Sequence, residues 1–92
     1  MPGENVEVAV MFADVSGSTR LYETIGDTDA NRIIGKAIEI MRKLTELNQG
    51  FVIKTIGDEI MCRFFSPDDC MRTTVDIQEE ISEGIEGETV AI

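Results

Sequence analysis

Two strand-like runs, Phe51–Ile56 and residues 59–65, are separated only by Gly57-Asp58. So short a connection constrains the chain more than any other feature, because strands joined by two residues must run antiparallel and pair directly as a β-hairpin. On the second strand Ile60, Cys62 and Phe64 oppose Met61, Arg63 and Phe65; on the first, Val52, Lys54 and Ile56 oppose Phe51, Ile53 and Thr55. Apolar residues thus fall on both faces. A lone hairpin is marginal in water, so other elements must cover it.

The rest of the chain supplies those elements. Residues 6–13 read Val-Glu-Val-Ala-Val-Met-Phe-Ala, apolar on nearly both parities after Glu7, which predicts a central strand covered on both faces. The strand stops at a small polar loop, Asp14-Val15-Ser16-Gly17-Ser18-Thr19. A short helix is expected from Ser18 or Thr19, with Leu21, Tyr22 and Ile25 on one side and a break at Gly26. Asp27 or Thr28 can cap a longer helix, in which Ala30, Ile33, Ile34, Ala37, Ile38, Met41, Leu44 and Leu47 recur at helical spacing. Asn48-Gln49-Gly50 ends it. After the hairpin, Ser66-Pro67-Asp68-Asp69 offers a cap, a proline at the first helical position and acids in the first turn. That helix is predicted to run to about Glu83 through Met71, Thr74, Val75, Gln78 and Ile81. Beyond Gly84 and Gly87, residues 89–92 (Thr-Val-Ala-Ile) read as another strand.

The order β-α-α-β-β-α-β predicts an α+β fold of the ferredoxin-like, split βαβ type, with residues 1–92 as one domain unit. A right-handed crossover makes the second strand parallel to the first. The C-terminal end of the first strand and the Gly57-Asp58 turn then fall on one edge of the sheet, and Asp14 and Asp58 become neighbours. Helices can cover only one sheet face, so a second copy of the chain is the simplest cover for the other.

Charge and composition narrow the chemistry. With 18 acidic against 8 basic residues and a formal net charge of −10, the chain is unsuited to non-specific binding of nucleic acid or of an anionic membrane surface. It has no histidine, which removes the usual general base, the Ser-His nucleophile pair and most zinc sites, and leaves carboxylates as ligands. Cys62 and Cys70 sit in or beside apolar segments, without metal-ligand spacing, and read as reduced core residues. No apolar run is long enough to span a membrane, and the start is not a signal peptide, so a cytoplasmic location is expected.

Two carboxylates converging at a sheet edge, beside a glycine loop that opens a helix, suit a magnesium-polyphosphate site. Mg²⁺ takes hard oxygen ligands, typically one or two carboxylates together with phosphate oxygens, and Asp14 and Asp58 would provide them. The amides of Ser16, Gly17, Ser18 and Thr19 lie where N–H groups at a helix start receive phosphate oxygens. Gly17 lets the backbone come close, and Ser18 and Thr19 add hydroxyls. Each piece taken singly has a plainer reading: Asp14 as a turn former, Gly57-Asp58 as a hairpin device, Lys54 as a solvated strand residue. The combination at these spacings is what points to a site.

Phe12-Ala13-Asp14-Val15-Ser16-Gly17-Ser18-Thr19 resembles the first metal motif of class III adenylyl and guanylyl cyclases, and Lys54-Thr55-Ile56-Gly57-Asp58-Glu59 resembles the second. The resemblance covers nearly the whole chain and makes it the N-terminal half of such a catalytic domain. It implies two divalent ions, Mg²⁺ or Mn²⁺, held by Asp14, Asp58 and the Val15 carbonyl. It further implies in-line attack of the ribose 3′-hydroxyl of ATP on the α-phosphate, giving 3′,5′-cyclic AMP and pyrophosphate. Lys54 matches the purine-reading position, where a lysine favours adenine and guanylyl cyclases usually carry glutamate. In the family this lysine acts across a homodimer, in keeping with the open sheet face. Ser18 departs from the phenylalanine of many members. The family's second purine-reading residue and the asparagine and arginine that stabilise the transition state lie beyond residue 92. The 92 residues alone are therefore expected to be a truncated piece that binds metal, and ATP weakly, without useful turnover, with regulatory domains elsewhere in the parent. Two alternatives stay open. One is a diguanylate-cyclase-like palm enzyme, although its paired glycines are missing from Ile56-Gly57-Asp58-Glu59-Ile60. The other is a non-catalytic nucleotide-binding or dimerisation module.

Overall fold

The computed structural model describes residues 8–92. Six elements follow in the order β1 (Ala9–Asp14), α1 (Ser18–Ile25), α2 (Asp27–Leu47), β2 (Phe51–Ile56), β3 (Glu59–Phe64) and α3 (Pro67–Ser82). The sheet is three-stranded in the order β1-β3-β2, with β3 antiparallel to both neighbours, so β1 and β2 run parallel. That is the split βαβ arrangement, with the helices on one face.

Several expectations need correction. Of the strand expected over residues 6–13, Val6 and Glu7 lie outside the described residues, Val8 is not in the strand, and β1 runs one residue further, to Asp14. β1 is an edge strand of this sheet and not a central one; it is apolar on both faces, but Met11 and Ala13 are buried while Val10 and Phe12 are exposed. Residues 89–92 do not form a strand. They contribute one isolated antiparallel bridge, Ser16 with Ala91, just past the end of β1.

The face assignment on β2 also changes. Val52 is in register with Cys62 and Lys54 with Met61, so a bulge intervenes and Ile53 is the extra residue. Residues paired directly across an antiparallel ladder share a face. Val52 therefore points toward the helices with Cys62, whereas Lys54, expected beside Val52, lies with Met61 on the open face.

α2 begins one residue earlier than a side-chain cap would allow. Gly26 is its N-cap, without a side-chain hydrogen bond, and Asp27 and Asp29 lie in its first turn, where acids complement the helix dipole. Its buried stripe runs from Ala30 through Ile33, Ile34, Ala37, Ile38 and Met41 to Thr45, and the predicted Leu47 is exposed. Thr45 is tolerated inside because its hydroxyl donates to the Met41 carbonyl at 2.8 Å. On α3, Ser66 accepts from the Asp69 amide at 3.3 Å as the predicted N-cap. The buried face, however, is Thr73, Ile77 and Ile81, and Met71 and Val75 point to solvent.

These stripes meet Met11, Ala13 and Val15 of the first segment and Ile60, Cys62 and Phe64 of β3 in one core, closed at the end by Ile85 and Val90. Gly50 makes the close packing possible. A Cβ there would run into the Phe64 ring and lie 2.7 Å from the Thr45 methyl. Cys62 is buried and Cys70 partly so, both as free thiols. Burial pushes both thiols up, away from reactivity.

Candidate active site

The register of β1 on β3 sets the geometry. Asp14, the last residue of β1, pairs with Glu59, the first of β3, and the ladder is extended by the Val15 amide donating to the Asp58 carbonyl at 3.0 Å. Gly57 takes φ 58° as the first central residue of the two-residue turn, the position that type II′ hairpins reserve for glycine. Asp58 is thereby held against the end of β1. Its side chain lies within hydrogen-bonding contact of the Asp14 carboxyl.

Electrostatics follow from that contact. The Asp14 carboxyl is raised above its ordinary range, first by loss of surrounding solvent, then by the charge and hydrogen bond of Asp58, then by the charge of Glu59; a hydrogen bond from the Val15 backbone opposes this weakly. Like charges crowded at one rim favour a bound cation. All the donors are oxygens, which fits Mg²⁺ or Mn²⁺ better than zinc. Among the described residues no group of three or more His, Cys, Asp or Glu side chains forms a metal cage. The chain would thus give two carboxylates, Asp14 and Asp58, and the Val15 carbonyl, leaving other positions to water and phosphate. The buried Val15 side chain anchors that stretch of backbone in the core.

The loop after β1 turns through Gly17, in the left-handed region at φ 70°, directly into α1. The first hydrogen bond of the helix is Leu21 amide to Gly17 carbonyl, 3.1 Å, and no side chain caps the turn before it. The N–H groups of Ser18, Thr19 and Arg20 precede that bond and are left for an outside acceptor. Ser16 differs from the expectation, because its amide already donates to the Ala91 carbonyl at 2.8 Å. Tyr22 donates to the Asn31 side chain and fixes α1 against α2.

Lys54 is not brought to the carboxyl pair. It stands on the open sheet face in the row Phe12, Met61, Lys54, one same-face position down β2 from Ile56, and makes no ion pair with another described residue. Around it the face is apolar: Phe12 is 64% and Phe51 51% exposed. Arg63 lies over the Phe51 and Phe65 rings at 5.3 and 5.7 Å. Sequence reasoning passed over Glu59, whose role as partner of Asp14 was legible from the hairpin register. It also passed over Arg20, which the motif spacing did not mark.

Comparison with known proteins gives the family. No curated protein matches the chain. Among solved structures it is similar to a bacterial light-regulated adenylyl cyclase, at 26% identity and TM-score 0.77, covering 88% of this chain and 45% of that one. The guanylate cyclase domain of RhGC from Catenaria anguillulae, in complex with GTP, shares the fold at 20% identity and TM-score 0.77, covering 90% of this chain and 50% of that one. So does a dimeric guanylyl cyclase domain of the RhoGC fusion protein from Blastocladiella emersonii, at 22% identity and TM-score 0.79, covering 90% and 51%. The chain spans about half the length of these structures. The Adenylate and Guanylate cyclase catalytic domain model matches residues 2–82, and the chain belongs to that family.

Proposed function

We propose that the chain is the N-terminal half of an adenylate cyclase catalytic domain, converting ATP to 3′,5′-cyclic AMP and pyrophosphate in a parent protein that carries regulatory domains. The observation that carries this reading is the contact between the Asp14 and Asp58 carboxyls beside the uncapped start of α1. Mg²⁺ or Mn²⁺ bound there would make the ribose hydroxyl more acidic and neutralise phosphate charge. Asp14, Asp58 and the Val15 carbonyl hold the cations. The amides at Gly17, Ser18 and Thr19, with two hydroxyls, orient the phosphates, while Ser16 acts through its side chain because its amide is engaged. The 92 residues on their own bind without useful turnover.

Lys54 supports adenine as the base. A primary ammonium donates to adenine N1, which accepts, and not to guanine N1, which donates. Its place on the open apolar face, away from the carboxyl pair, supports reading across a homodimer formed through that face. Relatives of both specificities, including the domain solved with GTP, make the choice of base a question for experiment. Calorimetric titration with Mn²⁺-ATP and Mn²⁺-GTP tests it. Tighter binding of ATP, reversed in Lys54→Glu, is expected; equal or tighter binding of GTP by the wild type would refute the adenylate assignment.

A further inference from the structure

Between α1 and residues 87–91 lies a cleft of about 500 Å³, walled by Ser16, Gly17, Arg20 and Thr24 on one side and Glu88 and Ala91 on the other. Of the eight basic residues in the chain, Arg20 alone lines it. Gly17, Arg20, Leu21 and Thr24 are spaced as one face of a helix, which directs the Arg20 side chain along the cleft and not toward the opposite surface of α1. Arg32, Lys36, Arg42 and Arg72 are engaged with carboxylates, and Arg63 with two aromatic rings. Arg20 makes no ion pair with another described residue.

We propose that Arg20 is a phosphate-binding residue, its guanidinium gripping the terminal phosphate of the nucleoside triphosphate that reaches from the Asp14–Asp58 rim into this cleft. This rests on the nucleotide-binding reading above. The chemistry is specific. The unshared oxygens of a terminal phosphate offer two acceptors at once to the planar two-pronged donor of arginine, and Ser16 and Gly17 of the loop after β1 line the same cleft. The electrostatics call for it as well. A chain with net charge −10 repels a polyanionic ligand, and Arg20 is the one basic residue in the wall of this cleft that offsets the repulsion locally. Glu88 on the far wall disfavours an anion there, so the phosphate sits on the Arg20 side of the cleft. Arg20 thus selects for the length of the phosphate chain, preferring triphosphate to monophosphate.

The test is binding to the 92-residue chain, with Mn²⁺ present, of inorganic tripolyphosphate, ATP and AMP, for wild type, Arg20→Ala and Arg20→Lys. Arg20 is exposed, and unchanged circular dichroism and melting would establish that both variants fold. The expected result is a loss of about tenfold or more in tripolyphosphate and ATP affinity in Arg20→Ala, partial recovery in Arg20→Lys, and no change for AMP. Wild type that binds ATP with Arg20→Ala equally tight overturns the role of Arg20 alone. A uniform loss for ATP and AMP overturns it too, by showing a structural effect. Wild type that binds neither ATP nor tripolyphosphate overturns the nucleotide reading and this inference with it.

Discussion

The Asp14 and Asp58 carboxyls lie against one another, one at the end of β1 and the other in the β2–β3 turn. Nothing in the helical core requires that contact. Loss of solvent and the neighbouring negative charge hold the Asp14 carboxyl up, an arrangement unfavourable to a metal-free fold and favourable to a cation.

Asp58→Asn removes the neighbouring charge. In chelator at pH 7 this variant is expected to melt above the wild type, and it should gain less from Mn²⁺ than the wild type does. Wild type in Mn²⁺ at a hundred times its Kd should gain about 2.7 kcal/mol, which for a domain of this size raises Tm by about 10–20 °C. Thermal melts with and without Mn²⁺ check both.

Gly50 is fixed by sterics. A methyl group there collides with the Phe64 ring and the Thr45 methyl, both fully buried. Gly50→Ala is expected to destabilise by about 1–3 kcal/mol, read as a lower urea midpoint at unchanged slope.

Glu86 joins the turn after α3 to α2, accepting from Arg32 Nε at 3.1 Å and lying 3.4 Å from Lys36 Nζ. The Arg32 hydrogen bond is the first cause that lowers the Glu86 carboxyl below its usual value of 4.5. A depressed carboxylate contributes stability above its unfolded value and loses it as pH falls through the lower folded value. Wild type should therefore exceed Glu86→Gln in Tm at pH 7, with the difference gone at acid pH. Because the pair is exposed, salt should shrink the difference.

The open face predicts association. Phe12 and Phe51 flank the row that holds Lys54, and a negative charge there would be buried unpaired in a dimer. Phe12→Asp is expected to leave the melting curve of the monomer close to wild type and abolish any dimer seen by sedimentation velocity.

Much of this was legible in the sequence. Gly57-Asp58 fixed the hairpin and its register at the turn, and with the crossover rule that placed Asp58 at the end of β1. What escaped were features without a local signal. The bulge at Ile53 carries neither glycine nor charge, so alternation put Val52 on the same face as Lys54 and Ile56. Met71 and Val75 look like core residues, but the α3 face against the sheet is set by Ile77 and Ile81 together with the small Thr73. Strand propensity in residues 89–92 finds only Ser16 to pair with, and that pairing withdraws the Ser16 amide from the phosphate loop. Arg20 is visible only once α1 has a cleft beside it.

The most direct test is Mn²⁺ binding in the presence of ATP, followed by electron paramagnetic resonance, for wild type, Asp14→Asn and Asp58→Asn. The expected result is tight binding by wild type and loss of about tenfold or more in each variant. Variants that bind Mn²⁺ as wild type does, or a wild type that binds none, would contradict the assignment of this rim as the metal site.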